Sequence, residues 1–252
     1  MVKFFSLTLN PKQAAVAVTV SEAAELPQAL VQLGLSNSRP VLVIVGGASQ
    51  ISEADFLRIK RLFVEVLAPI AQRLGAYVVD GGTDAGVMQL MGKAHSQINA
   101  DFPLIGVAPT AKVVLPKQTT VLSEDATPLE AHHTHFVLVP GSNWGDESPW
   151  IVQVATLLAN GAPSITVLIN GGEITFIDAL NSVIAGRLVM VIAGSGRTAD
   201  KLASALHGDA TDERAKQLAA SGCLQTIDLE APKEDLINTI TNLLLTGSNA
   251  IL

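Results

Sequence analysis

One pattern recurs along this chain: a short run of apolar residues ends in glycines, and a segment with the periodicity of an amphipathic helix follows. Such runs at residues 40–45, 77–79, 165–169 and 188–192 lead into Gly46 and Gly47, Gly81 and Gly82, Gly171 and Gly172, and Gly194 with Gly196. An unbroken apolar run is typical of a strand buried on both faces of a parallel sheet. Because the carboxyl ends of parallel strands meet at one edge, we expect these glycine turns to line the same edge.

The order of the segments predicts an α/β fold: a Rossmann-like, doubly wound, mainly parallel sheet of about seven strands with helices on both faces. A long amphipathic helix is expected over residues 56–70. No linker interrupts the series, so we expect a single domain over residues 1–252. Within it, residues 1–38 form an N-terminal lead-in with two strands, and residues 208–252 form a C-terminal extension.

The composition agrees with such a fold and excludes some classes of function. Hydrophobic residues make up 48% of the 252 residues and charged residues only 15%, so the core is expected to consist of Val, Ile, Leu and Ala. The net charge of −7 argues against a nucleic-acid partner. No run approaches the roughly 20 apolar residues of a membrane span, and the single cysteine, Cys223, cannot form an intramolecular disulfide. We therefore expect a soluble, cytoplasmic protein.

The stretch of residues 80–87 is a candidate phosphate site, because a strand ends there in an acid and two glycines before a helix that is predicted over residues 83–98. A helix N-terminus leaves backbone N–H groups without partners and carries partial positive charge, so it favours anions. Asp80 either accepts hydrogen bonds from a ribose diol or braces the glycine turn. Thr83 and Asp84 contact the ligand, cap the helix, or do both.

Arg197 is predicted at the start of another helix, directly after the turn at Gly194, Ser195 and Gly196. A cation there opposes the helix dipole, so its placement is unfavourable unless an anion lies nearby. That anion is either a ligand phosphate in a crevice at the strand edge or the Asp200 carboxylate, three residues further along the helix. We favour the ligand.

His132, His133 and His135 form a histidine cluster, and the strand period of two places His133 and His135 on one face. Zinc would need a fourth ligand, but Cys223 is far away in sequence and no carboxylate lies at a familiar spacing. The alternative is a hydrogen-bonding or structural role. We expect no metal site.

Six short segments occur in a characteristic order: Gly46-Gly47-Ala48, residues 80–87, residues 105–109, residues 133–136, Gly171-Gly172 and residues 194–200. Together, over roughly residues 20–206, they resemble the SLOG superfamily. Within it they are most similar to the LSDAT branch, which is shared by stand-alone prokaryotic proteins and the cytoplasmic N-terminal region of TRPM channels. The resemblance implies a Rossmann-like fold that binds nucleotide-derived ligands of the ADP-ribose or NAD type.

A more distant SLOG branch, the lysine-decarboxylase-like phosphoribohydrolases that activate cytokinins, suggests an alternative. Its Pro-Gly-Gly-x-Gly-Thr-x-x-Glu motif falls on residues 170–178, where Asn170 replaces the proline, Ile174 the third glycine and Asp178 the catalytic glutamate. The arginine that this branch carries on the preceding helix is absent. If the protein is an enzyme, the resemblance implies cleavage of a nucleotide N-glycosidic bond with Asp178 or Glu173 as the acid-base group.

We therefore expect a protein that binds or senses a nucleotide-derived small molecule at the carboxyl ends of the strands. No further cofactor is required, no nucleic acid or membrane takes part, and a homo-oligomer is expected. An assembly scaffold without a ligand would leave the glycine turns unexplained. Gly82 and Arg197 should face each other across the pocket. The candidate ligand-binding residues are Gly46, Gly47, Asp80, Gly81, Gly82, Thr83, Gly141, Gly171, Gly172, Thr175, Gly194, Ser195, Gly196 and Arg197.

Overall fold

The computed structural model describes residues 2–10, 13–48, 53–116, 118, 123–209 and 211–247. In this part of the chain, nine strands form one large sheet, in the order β1-β2-β8-β5-β4-β3-β9-β10-β11, and β6 pairs with β7. In chain order the strands are β1 (Lys3–Asn10), β2 (Gln13–Thr19), β3 (Val41–Gly46), β4 (Tyr77–Asp80), β5 (Leu104–Pro109), β6 (Val113–Val114), β7 (Thr127–Pro128), β8 (His135–Val139), β9 (Ser164–Ile169), β10 (Leu188–Ala193) and β11 (Leu224–Asp228).

Helices occupy most of the connections between these strands. Among the described residues they are α1 (Leu26–Gln32), α2 (Glu53–Leu62), α3 (Ala68–Leu74), α4 (Gly86–Gln97), α5 (Ser148–Ala159), α6 (Glu173–Ile184), α7 (Arg197–Leu206), α8 (Glu213–Ala220) and α9 (Lys233–Thr246). The helix predicted over residues 56–70 is present, with a π-helical turn at Phe63–Leu67 that joins α2 to α3. Pro69 follows that turn and lacks the N–H that a regular α-helix would use there. None of the described helices is both long and apolar enough to cross a membrane.

The helices cover both faces of the sheet, because successive side chains of a strand point to opposite faces. In β3, Val41 and Val43 pack into a core that α1, α5, α6, α7 and α8 complete. Leu42 and Ile44 pack into a second core with α2, α3, α4 and α9. The central strands are therefore buried on both sides, which is why their sequences are mostly apolar.

The sheet has nine strands, so the prediction of about seven was wrong. The difference lies in the N-terminal lead-in, whose β1 pairs with β2 in antiparallel orientation. The β2 strand then pairs in parallel with β8, where Val16 lies opposite His135. Without β2, the edge of β8 would present unpaired backbone groups, so the lead-in completes the sheet.

From β3 the sheet grows in two directions. The chain adds β4, β5 and β8 on one side and then β9, β10 and β11 on the other. In open α/β sheets, ligands bind outside the carboxyl ends of the strands at the point where the strand order reverses. Here that point lies between β3 and β9, where Gly46 pairs with Ile169.

Candidate functional site

A cavity of about 480 Å³ lies at this reversal point and is lined by residues that end or follow β3, β4, β9 and β10. Among the predicted ligand-binding residues, those on its wall are Gly46, Gly81, Thr83, Gly172, Thr175 and Arg197. Asp178 and Glu173, the acids considered for hydrolysis, line it as well. The fold therefore gathers residues from four separate segments around one space.

Arg197 reaches the turn that precedes α6. Its Nη2 atom lies 3.1 Å from the point that a β-carbon on Gly172 would occupy, so the absence of a side chain at Gly172 makes room for the guanidinium group. The backbone of Arg197 is in the left-handed region, with φ 54°, which is uncommon for a residue other than glycine and is found at functional sites. Asp200, the alternative partner, accepts a hydrogen bond from the Gly194 N–H at 2.7 Å.

Hydrogen bonds tie the start of α7 to the turn before α6. The Thr198 hydroxyl donates to the Gly172 carbonyl at 3.0 Å, and the Ala199 N–H donates to the Asn170 carbonyl at 3.0 Å. The Asn170 N–H donates to the Ser195 hydroxyl at 2.8 Å, and the Asn170 side-chain amide donates to the Ser195 carbonyl at 2.7 Å. These bonds hold Arg197 above Gly172. Four other predicted ligand-binding residues belong to these two turns but do not line the cavity: Gly171, Gly194, Ser195 and Gly196.

The segment of residues 80–87 differs from the predicted phosphate cradle. Its helix begins at Gly86 rather than at Thr83. Several of its backbone N–H groups already have acceptors within the protein: Gly82 donates to Asp80 Oδ1, Asp84 to the Pro128 carbonyl, Ala85 to the Thr83 carbonyl and Val87 to the Gly47 carbonyl. Gly81 and Thr83 still line the cavity, but the segment offers fewer donors than a free helix N-terminus would.

Gly82 is directed away from the cavity. A β-carbon there would lie 2.6 Å from the Cα atom of Gly106 and 3.1 Å from the Phe136 ring, so the glycine allows β4 and β5 to approach closely. The prediction that Gly82 and Arg197 face each other across the pocket is therefore wrong; Gly81, Thr83 and Arg197 line the cavity, and Gly82 does not.

Gly47 and Gly141 also lie outside the cavity wall. The Gly47 N–H donates to the Ile169 carbonyl at 3.2 Å, which extends the pairing of β3 with β9. A β-carbon at Gly141 would come within 2.8 Å of the side chains of Pro109 and Asp146. Both glycines thus permit close packing beside the site.

Asp80 is fully buried and joins a hydrogen-bonded network with the histidine cluster. The His133 ring lies between two carboxylates, with Nε2 2.9 Å from Asp80 Oδ1 and Nδ1 2.9 Å from Glu130 Oε2. Burial opposes the charged ring, but the two carboxylates outweigh burial and raise the pKa of His133 to about 9. The described residues contain no group of three or more His, Cys, Asp or Glu placed to hold a metal ion. Asp80 braces the glycine turn, which is one of the two roles predicted for it, because its Oδ1 atom accepts a hydrogen bond from the Gly82 N–H at 2.7 Å.

The loop between β8 and α5 supplies cavity residues that the sequence patterns did not single out, Trp144 and Glu147. Glu147 is 8% exposed, and its Oε2 atom accepts the Gly145 N–H at 2.8 Å. Burial raises the pKa of its carboxyl group. This loop follows a strand at the same edge as the glycine turns, and that position is the sequence signal for the site; the loop residue that the sequence predicted, Gly141, does not line the cavity.

A profile of the family described as "SLOG in TRPM, prokaryote" matches residues 39–238, a range that contains every residue on the cavity wall. The chain belongs to this SLOG family. Its cavity is thus a feature of the SLOG region rather than of the flanking segments.

Curated relatives of this SLOG chain are channel proteins. The rat protein "Transient receptor potential cation channel subfamily M member 2" is 25% identical over 205 aligned positions, and the match covers 68% of this chain and 13% of the channel. The human subfamily M member 7 is 28% identical over 261 aligned positions, gaps included, and the match covers 90% of this chain and 13% of the channel. A Caenorhabditis elegans "Transient receptor potential channel" is 26% identical over 211 aligned positions, and the match covers 71% of this chain and 10% of the channel. The SLOG chain therefore spans only a small part of these relatives' length.

The two acids considered for hydrolysis have different surroundings in this SLOG cavity. Asp178 is 9% exposed, and its Oδ1 atom accepts the Ser148 hydroxyl at 2.5 Å. Burial raises the pKa of Asp178 to about 7 against the effect of the Ser148 hydrogen bond, and the charge of Glu147 raises it further. Glu173 is exposed and forms an ion pair with Arg214, which lowers the pKa of Glu173. Glu173 is therefore ionised at neutral pH.

Proposed function

We propose that this SLOG protein binds a nucleotide-derived small molecule, of the ADP-ribose or NAD type, in the cavity between β3 and β9. The observation that carries the proposal is the position of the Arg197 guanidinium group over Gly172, at the N-terminus of α6 and on the cavity wall. A cation beside a helix N-terminus attracts an anion from two sides, and phosphate is the anion common to this ligand class.

The first turn of α6 supports a phosphate at this end of the cavity. The Gly172 N–H donates to the Thr175 hydroxyl at 3.1 Å, whereas the N–H groups of Glu173 and Ile174 have no acceptor among the described residues. Both residues line the cavity. Unpaired N–H groups at a helix start are suited to phosphate oxygens.

The position of Trp144 supports the binding of the base of the nucleotide in the same cavity. Its side chain lines the same cavity as Arg197, together with the apolar side chains of Met88, Ile151 and Ile174. An indole ring offers a flat face for a purine base. The cavity thus combines a cationic region and an aromatic one, as a nucleotide requires.

Thermal unfolding with ADP-ribose, cyclic ADP-ribose, NAD, AMP and cytokinin-type nucleotides tests the proposal. A ligand present at about 100 times its dissociation constant stabilises the folded state by about 2.7 kcal/mol, which is visible as a higher melting temperature. The Arg197→Ala variant should lose that shift. The matched control is Arg61→Ala, which removes an exposed arginine on α2 and should keep it. If no nucleotide changes the melting temperature, the proposal is wrong.

Chromatography of the same mixtures separates binding from turnover. The proposed binding protein returns the nucleotide unchanged. Release of free base by the natural protein but not by Asp178→Asn would instead indicate N-glycosidic hydrolysis.

We further propose that residues 1–252 form one Rossmann-like domain that assembles into a homo-oligomer. The shared nine-stranded sheet supports the first part. Ile177, Leu180 and Ile184 support the second, because these exposed apolar side chains lie on one face of α6. Light scattering during size-exclusion chromatography measures the mass, and a monomer at all concentrations would contradict the oligomer.

A further inference from the structure

We propose that Glu147 and Asp178 form a subsite that binds the ribose cis-diol of a nucleotide 5′-phosphate. The inference rests on the proposed function and adds which part of the ligand the acidic side of the cavity recognises. It also assigns the ribose-binding role to residues other than Asp80, whose Oδ1 atom is buried between the Gly82 N–H and His133.

Both acids lie on the cavity wall although they are more than nine-tenths buried. Among the described residues, neither takes part in an ion pair. The Ser148 hydroxyl occupies Asp178 Oδ1, and the Gly145 N–H occupies Glu147 Oε2. Each carboxyl group therefore retains a second oxygen that has no donor among the described side chains. Neither of these oxygens is among the fully enclosed side-chain atoms that lack a partner in the described part of the chain, so a ligand in the cavity can reach them and donate hydrogen bonds to them.

The position of Asp178 selects a hydroxyl rather than a phosphate or a base amino group. Asp178 follows Thr175 by three residues on α6, a rise of about 4.5 Å from the first turn where the phosphate is proposed to bind. In a nucleotide 5′-phosphate the diol is a few bonds from the phosphate, whereas the amino group of the base lies at the far end of the nucleoside. A phosphate at the acids would also meet like charge in a poorly solvated space.

Neighbouring hydroxyl groups suit this pair of acids in either protonation state. An ionised carboxylate accepts hydrogen bonds from both hydroxyls of a diol, as acids at the strand ends of nucleotide-binding sheets do. A protonated carboxyl group can accept one hydroxyl and donate to another. A phosphate on the 3′-oxygen would remove one of these donors and add negative charge.

The test compares three ligands by isothermal titration calorimetry on the full chain: ADP, 2′,3′-dideoxy-ADP and adenosine 3′,5′-bisphosphate. We expect ADP to bind at least about tenfold more tightly than the dideoxy analogue, the loss expected for hydrogen bonds to charged groups. We expect a similar preference over the bisphosphate. Equal affinity for ADP and the dideoxy analogue would overturn the subsite while leaving nucleotide binding in place. Absence of binding by all three would overturn both proposals.

Two isosteric variants locate the effect. At pH 8, above the pKa of about 7 of Asp178, Asp178→Asn and Glu147→Gln should each reduce the preference for ADP over the bisphosphate by about threefold or more, because each removes negative charge from the subsite. The matched control is Asp235→Asn, an equal change of charge at an exposed position on α9, which should keep both preferences. Unchanged preferences in both cavity variants would overturn the assignment. Inosine 5′-diphosphate, which lacks the base amino group, should bind like ADP; a loss equal to that of the dideoxy analogue would assign the acids to the base instead.

Discussion

The Nη2 atom of Arg197 lies 3.1 Å from the point where a β-carbon on Gly172 would stand. Gly172→Ala should therefore displace the guanidinium group from the start of α6 without strain in the backbone, whose φ at this residue is −121°. We expect nucleotide affinity to fall about tenfold, since a hydrogen bond to a charged group contributes about 1.5 kcal/mol or more. The melting temperature without ligand should change little, because the neighbour that must move is the end of a flexible side chain. Unaltered affinity measured by calorimetry would show that Arg197 does not hold the ligand from this position.

Gly82 and Gly81 are neighbours with opposite expected responses to substitution. Gly82→Ala would place a methyl group 2.6 Å from Gly106 Cα in a backbone with φ 66°, whereas Gly81→Ala meets only Met88 side-chain atoms at 3.7 Å or more. We expect Gly82→Ala to lower the free energy of unfolding by about 2–4 kcal/mol and Gly81→Ala by less than about 1 kcal/mol. Urea denaturation measures both. Similar losses in the two variants would contradict the close contact between β4 and β5.

The raised pKa of His133 makes the free energy of unfolding depend on pH in the alkaline range. Its pKa is raised to about 9 from an unfolded value of about 6.5, so its contribution is complete below pH 6.5 and is lost as pH rises through 9. We expect the free energy of unfolding to fall by an amount on the order of 2–3 kcal/mol between pH 6.5 and pH 10.

The groups that face His133 are Asp80 and Glu130, with the Phe136 ring stacked against it. His133→Gln should lose most of the decline with pH and be less stable at pH 7, because two buried carboxylates lose their cationic partner. His207→Gln, at an exposed histidine, is the control and should keep the decline. A natural protein with constant stability over this pH range would contradict a charged His133.

The central strands were predictable because their sequences are largely apolar runs, and the glycine turns identified the sheet edge where the cavity lies. The position of Arg197 on the cavity wall was predictable because the glycines before it place it at the same edge of the sheet. The direction of each glycine was not predictable. Gly82 and Gly81 are adjacent in sequence, yet only Gly81 lines the cavity, since Gly82 allows contact between strands that are distant along the chain.

The surroundings of the acidic residues near the cavity were not predictable from the sequence either. A local pattern assigned a strand-end role to Asp80, but the environment of Asp80 depends on His133, which arrives 53 residues later. Glu147 directly precedes α5 and Asp178 lies on α6, so the two acids line the same cavity only because α5 packs on α6. Their burial, and the raised pKa values that follow from it, are properties of that packing and leave no signature in the sequence nearby.

The buried carboxyl group of Asp178 should destabilise the folded protein when it is ionised. Its pKa is raised from 3.8 to about 7, so the folded state holds a proton that the unfolded state has released between these values, and stability falls as pH rises through 7. Asp178→Asn should thus be more stable than the natural protein at pH 8, by an amount on the order of 1–3 kcal/mol, and nearly equal to it at pH 4. Melting temperatures at the two pH values test this, with Asp235→Asn as the control of equal charge. A variant less stable at pH 8 would show that ionised Asp178 stabilises the cavity.

Variants at Trp144 and Trp150 allow fluorescence to distinguish direct contact with the ligand from a general change in the fold. Trp144 lines the cavity, whereas Trp150 packs against the core on α5. A purine stacked on Trp144 should change its emission, so titration with ADP should alter the fluorescence of the natural protein and of Trp150→Phe but not of Trp144→Phe. Trp144→Leu should also weaken binding by about fivefold, because an aromatic pair contributes about 1 kcal/mol beyond its buried area. If Trp144→Phe keeps the full signal and Trp150→Phe loses it, the base does not lie against Trp144.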